Sequence, residues 1–247
     1  MFEILIGAAS FVAGAIASVV GFGIGSILTP LLSLQIGTRL AVAVVSIPHL
    51  AATFVRFWML REQVDKRVLM NFGIMSAAGG IAGALLHSVA TNPALTFLFA
   101  ALLIFAGLSG IIGYAEKMRF GPKTAWAAGA ISGALGGLVG NQGGIRSAAL
   151  LGFGLSRNAF VATATAVGLV VDAARMPVYL ATSAHEIFSM VTIITVSTGA
   201  VLAGTFFGTG VLKYIRQDLF HRIVGVVILI LGIFMLVRAA IGPLRGW

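Results

Sequence analysis

The sequence has no cysteine and few charged side chains, and both absences exclude classes of protein. Without cysteine the chain cannot form a disulfide, a thiolate metal site or an iron–sulfur cluster, and it has no cysteine nucleophile. Only 9% of the 247 residues are charged and 59% are hydrophobic, whereas roughly a quarter are charged in soluble proteins. The excess of basic residues, which would suggest a nucleic acid partner in a soluble chain, lies here in short loops between apolar runs. The composition predicts a membrane protein with no nucleic acid partner and no cofactor.

Apolar stretches account for nearly the whole chain. At about 20 residues for each crossing of a bilayer, the length allows about eight embedded segments and no separate soluble domain. The sequence therefore predicts an all-α integral membrane protein in which residues 1–247 form a single membrane domain. The stretches lie at about residues 4–36, 40–60, 68–88, 94–114, 124–155, 158–181, 187–212 and 222–241.

Two of these stretches, 4–36 and 124–155, are too long for one ordinary span, and a glycine cluster interrupts each of them. Each stretch is therefore predicted to form two helical pieces. The two stretches also align with each other, pairing Gly21 with Gly136 at a spacing of 115 residues. We predict two repeats, at about 1–114 and 123–241, each a glycine-broken helical hairpin followed by three transmembrane helices.

The basic residues predict how the two repeats are oriented. If each broken stretch leaves and returns on one side, the loops at 61–67, 115–123 and 213–222 lie on the same side and carry nine Lys and Arg residues. If each stretch crossed the membrane once, the 213–222 loop would face outward, against the tendency of basic loops to remain in the cytoplasm. The hairpin arrangement is favoured, and it makes the halves inverted, as in many secondary transporters.

The glycine clusters at 21–26 and 136–144 have two interpretations. They could serve helix packing alone, because small residues let helices approach closely. Alternatively, each could end at a short helix whose free N–H groups and positive dipole end point to the middle of the protein, and two such ends facing each other would bind an anion. The candidate binding residues in these clusters are Gly23, Gly25, Ser26, Asn141, Gln142, Gly143 and Gly144.

The motif Gly21-x-Gly-x-Gly-Ser26 followed by Pro30-Leu31-Leu32, with the second cluster at 136–144, resembles the sulfite exporter TauE/SafE family, also called the toluene-sulfonate uptake permeases. The resemblance extends over essentially the whole chain. It implies a multi-pass transporter with inverted halves in the inner membrane of a bacterium or archaeon. The substrates it implies are sulfite, sulfonates and other small sulfur-containing or carboxylate anions.

Arg146 is the strongest candidate for substrate binding. It follows the second glycine cluster closely, and no acidic residue between Glu116 and Asp172 is present to neutralise it. A buried, unpaired cation is costly, and an anionic ligand would offset that cost. The alternative is that Arg146 pairs with a distant acid or with backbone carbonyls.

Four further residues are candidates for a secondary site or for ion coupling, namely His49, Arg56, Asp172 and Arg175. Arg56 and Arg175 lie near predicted helix ends, so both could extend to the membrane interface. Arg175 also follows Asp172 by three residues, the spacing of an ion pair within one helix. Asp172 is the one acid well inside a predicted span and a candidate proton carrier, while His49 could be structural or could take part in gating or proton transfer.

The leading hypothesis is secondary transport of a small anion by alternating access. The chain has no GxxxxGK[ST] nucleotide-binding loop, so any energy would come from a gradient of a coupling proton or sodium ion, or from a partner. A passive anion channel could share the whole site. An intramembrane enzyme would need a nucleophile with a base or a metal cluster, and the pattern indicates neither, so we predict no enzyme activity and no metal site.

Overall fold

The computed structural model describes residues 2–21, 23–112, 122–140, 143, 146, 149–150, 153–211 and 217–241. These residues form long helices, and no strand occurs among them. The helices are α1 Phe2–Val20, α2 Ile24–Leu60, α3 Lys66–Val89, α4 Asn92–Ile112, α5 Pro122–Val139, α6 Arg157–Ser189, α7 Val191–Val211 and α8 Gln217–Ile241. The predicted all-α fold is therefore confirmed.

Within the described part of the chain, six helices are long and apolar enough to cross a membrane: α1, α2, α3, α4, α6 and α7. Large apolar side chains such as Ile4, Phe188 and Ile241 are exposed on the outer surface. In water such a surface would be costly, but hydrocarbon tails solvate it without penalty. The chain is a multi-pass membrane protein.

Both predicted interruptions coincide with glycines in left-handed backbone. Helix α1 ends before Gly21 (φ 83°), and α2 begins after Gly23 (φ 132°). Helix α5 ends before Gly140 (φ 72°), and Gly143 is again helical. Side chains other than glycine rarely adopt these angles, so the glycines allow the chain to turn inside the protein.

The boundary predicted between the first two segments is a kink rather than a loop. Helical hydrogen bonding continues through α2, and only Gly37 (φ 75°) departs from helical geometry. The gap between the predicted stretches 158–181 and 187–212 differs in the same way, because α6 continues to Ser189 and only Ser183 is non-helical. The polar residues of this segment suggested a loop, but the segment contains neither glycine nor proline to end a helix.

The helices of the first half, α1–α4, pack against those of the second half, α5–α8, in a corresponding way. Helix α1 packs on α7 and α5 packs on α3, while α2 contacts α6 and α4 contacts α8. In the pairs α1 with α7 and α3 with α5, glycines bring the backbones so close that a Cβ atom would collide with a carbonyl oxygen of the facing helix. The division into two repeats and their inverted orientation stay predictions. The close approaches, glycine first, are Gly14 to Val201, Gly204 to Phe11, Gly83 to Ala134 and Gly133 to Ser76.

Substituted cysteines test the orientation, since the natural chain has none. We expect a membrane-impermeant thiol reagent to label Glu62→Cys and Arg216→Cys from the cytoplasmic side and Glu186→Cys from the outside, because the basic residues divide that way. Glu62 and Glu186 are exposed, and Arg216 lies outside the described residues. Labelling of Glu62→Cys and Arg216→Cys from opposite sides would contradict the inverted arrangement, and the cysteine-free protein controls for background.

Candidate functional site

The two helices that precede the glycine breaks end in the same way. The Gly21 N–H bonds to the Ala17 carbonyl at 2.9 Å, and the Gly140 N–H bonds to the Gly136 carbonyl at 3.0 Å. The helix-ending glycines are therefore 119 residues apart, and the alignment of Gly21 with Gly136 was wrong by one helical turn. Glycines recur at every fourth position in α5, so the sequence pattern matches equally well when shifted by a turn.

Two buried arginines stabilise these helix ends. Arg56 donates from Nη1 to the Ala17 carbonyl, and Arg175 donates from Nη1 to the Gly136 carbonyl at 2.6 Å. A cation at the C-terminal end of a helix interacts favourably with its dipole. The exposed fraction is 4% for Arg56 and 2% for Arg175. The interpretation that these side chains extend to the membrane interface was wrong, because the interior provides carbonyl acceptors for both.

Asp172 lies at the centre of a buried cluster that joins the halves. Its Oδ1 is 2.8 Å from Arg175 Nη2, which is the ion pair expected from their spacing. Its Oδ2 accepts a hydrogen bond of 2.6 Å from His49 Nδ1 on α2. Asp172 has no exposed surface, so its charge is balanced by these partners rather than by water.

Arg146 has fewer partners than the other buried arginines. Its side chain is 3% exposed, and Nη2 donates a long hydrogen bond of 3.4 Å to the Gly21 carbonyl. Among the described residues, nothing accepts a hydrogen bond from its Nε or Nη1. A Cβ atom on Gly168 would lie 2.8 Å from Nη1 and 3.6 Å from Thr53 Cγ2. The guanidinium therefore lies at the interface between α2 and α6.

Thr53 lies between Arg56 and the cluster around Asp172. Its Oγ1 accepts a hydrogen bond of 3.1 Å from Arg56 Nη2 and lies 3.4 Å from His49 Nδ1. No described residue accepts a hydrogen bond from the Nε of Arg56. Arg146 approaches the same threonine, because a Cβ atom on Gly168 would lie close to both Arg146 Nη1 and Thr53 Cγ2. The described buried core contains three guanidinium groups and one carboxylate, so positive charge is in excess while His49 is neutral.

The glycine breaks meet beside these residues. A Cβ atom on Gly25 would lie 2.5 Å from the Gly140 carbonyl oxygen, so the first turn of α2 contacts the end of α5. Within the described part of the chain, no side chain caps the start of α2 at Gly23, which leaves the first N–H groups of the helix available as donors. Ser26, in this first turn of α2, is also buried, and so is Gly143. Of the remaining predicted site residues, Asn141, Gln142 and Gly144 lie outside the described residues.

The sequence patterns did not reveal several participants. Tyr179 donates its hydroxyl to the Gly137 carbonyl and lies beside the Arg175 guanidinium. His87 lies between the end of α5 and the kinked part of α2, with its Nδ1 2.8 Å from the Leu138 carbonyl and its Nε2 3.1 Å from the Arg39 carbonyl. Both residues contact other helices, so local sequence patterns do not indicate these contacts.

Comparison with known protein families gives a match over nearly the whole chain. Residues 6–235 match the model of the family described as sulfite exporter TauE/SafE. No curated protein and no solved structure matches the chain. The matched range contains every described residue of the buried cluster.

Proposed function

The chain belongs to the sulfite exporter TauE/SafE family of membrane transporters, and from this premise we propose that it is a secondary transporter of a small anion. The substrate is sulfite, an organosulfonate or a related sulfur-containing or carboxylate anion. Transport proceeds by alternating access across the inner membrane of a bacterial or archaeal cell. An enzyme activity is not part of this proposal, because the family consists of transporters.

The observation that supports this function best is the state of Arg146. A guanidinium that is 3% exposed and has two nitrogen atoms without an acceptor among the described residues is costly to bury. A bound anion would supply the missing acceptors and the missing charge. The planar guanidinium donates two parallel hydrogen bonds to an oxyanion, which favours trigonal or tetrahedral groups such as sulfite and sulfonate.

The glycine breaks complete the proposed shell around the anion. Backbone N–H groups near Gly25 and Ser26, where α2 begins without a side-chain cap, donate toward it. Gly143 and Gly144 contribute from the second half, and Asn141 and Gln142 add neutral amide donors. Gly23 supports the site by its left-handed backbone, which lets α2 begin close to Gly140.

Coupling to a proton is assigned to the pair formed by His49 and Asp172. Their 2.6 Å hydrogen bond joins α2 to α6, which belong to different halves. Thr53 lies 3.4 Å from His49 and also contacts Arg56, so a negative charge bound beside Thr53 would attract a proton to this pair by simple electrostatics. Anion and proton would then bind and be released together.

Flux measurements with the purified protein in proteoliposomes test this function. We expect uphill accumulation of sulfite or an organosulfonate when a proton gradient is imposed, and no accumulation with a sodium gradient alone. A thermal-shift screen of sulfite, sulfate, thiosulfate, sulfonates and carboxylates identifies the anion, because a ligand of the native state raises the melting temperature. Flux that only dissipates the anion gradient would identify a passive channel instead. Empty liposomes provide the control.

A further inference from the structure

The geometry of the helix ends fixes which residues of the two halves correspond. Ala17 and Gly136, Gly21 and Gly140, and Arg56 and Arg175 make matching hydrogen bonds, and each pair is 119 residues apart. The same spacing places Thr53 opposite Asp172 and His49 opposite Gly168. The two halves therefore share one arrangement of arginines but differ at the residues around them.

The difference lies in the partner of each repeat-related arginine. Arg175 has Asp172 three residues before it, with Nη2 and Oδ1 2.8 Å apart. Arg56 has Thr53 three residues before it, with Nη2 and Oγ1 3.1 Å apart. The first half thus provides a neutral hydroxyl where the second half provides a carboxylate, and no described residue accepts a hydrogen bond from Arg56 Nε.

The surroundings of Thr53 provide a second cation in addition to Arg56. Next to Asp172, the other half contributes the imidazole of His49. At the corresponding place next to Thr53 the residue is Gly168, and the Nη1 of Arg146 occupies the space where a side chain would begin. A negative group beside Thr53 would therefore contact Arg56 and Arg146 together, and both have unpaired N–H donors among the described residues.

We propose that the anionic head group of the substrate binds beside Thr53. There it pairs with Arg56 as the Asp172 carboxylate pairs with Arg175 in the second half. The head group is an oxyanion with at least two oxygens, one toward Arg56 and one toward Arg146, and the Thr53 hydroxyl contacts it. This inference rests on the proposed function and adds to it the position of the anion and two of its contacts. An aspartate at position 53 should then act as a built-in substitute for the substrate.

The test compares Thr53→Asp with Thr53→Asn, which has nearly the same size and no charge. In chloride buffer without other anions, we expect Thr53→Asp to melt at least about 3 °C above the unmodified protein, because it neutralises buried cations. Thr53→Asn should melt no higher than the unmodified protein. Sulfite and methanesulfonate serve as probes. Whichever of them raises the melting temperature of the unmodified protein should have no effect on Thr53→Asp and should still raise that of Thr53→Asn, by a smaller amount because the hydroxyl contact is lost.

Either of two results overturns this inference. One is that Thr53→Asp melts at or below Thr53→Asn or does not fold. The other is that Thr53→Asp keeps the full response to the probes. If Thr53→Asp responds and Arg146→Ala does not, the head group lies elsewhere around Arg146 and the proposed function stands. If both variants respond as the unmodified protein does, the proposed anion site fails as well.

Discussion

Arg146→Ala is expected to abolish anion binding and transport while leaving the protein folded. The variant removes a buried guanidinium whose Nε and Nη1 have no acceptor among the described residues, so little internal structure depends on it. Losing one charge-assisted contact to a ligand costs about 2–5 kcal/mol, or roughly thirtyfold to several thousandfold in affinity. The measurement is the anion-dependent rise in melting temperature, followed by flux in proteoliposomes.

Arg146→Lys is the matched control for charge. Lysine keeps the positive charge but loses the fork of parallel donors. We therefore expect the affinity of Arg146→Lys to lie between that of the unmodified protein and that of Arg146→Ala. Transport of the anion by Arg146→Ala at the unmodified rate would place the binding site elsewhere. The pair of Arg56 and Arg175 would then be the next region to test.

Asp172→Asn is expected to have the largest effect on stability. The change leaves Arg175 and two further buried arginines without a carboxylate among the described residues, and it weakens the contact with His49. Breaking a buried ion pair by removing one partner costs about 3–5 kcal/mol. The corresponding fall in melting temperature, measured on the detergent-purified protein, is about 6–20 °C.

Glu186→Gln removes one acidic charge from an exposed position and serves as the control for Asp172→Asn. We expect its melting temperature to stay within about 1 °C of the unmodified value, since surface substitutions change stability little. If Asp172→Asn had the same melting temperature as this control, the carboxylate would contribute nothing to the stability of the buried cluster. The assignment of His49 and Asp172 to proton coupling would then lose its structural basis.

Local patterns were sufficient to predict the features that depend on neighbouring residues. Glycine clusters inside apolar stretches predicted both chain breaks, because glycine alone adopts the left-handed angles found at Gly21 and Gly140 without strain. The spacing of Asp172 and Arg175 predicted their ion pair, because residues three apart share a helical face.

Features that depend on residues far away in the sequence could not be predicted. His49 and Asp172 are 123 residues apart in sequence, and nothing local to either residue indicates the other. The burial of Arg56 was missed because its acceptor, the Ala17 carbonyl, belongs to the end of a different helix. The alignment of the repeats failed by one turn, since glycines spaced by four give the same pattern in either register.

The pairing of α1 with α7 and of α3 with α5 has a consequence for how such a chain could arise. The glycines of each half fit against carbonyl groups of the other half, so neither half can complete its own packing. A protein with half this length would satisfy the same contacts only by associating with a second copy of itself. Joining two such copies in one gene would then free each position to diverge, and Thr53 and Asp172 would be one product of that divergence.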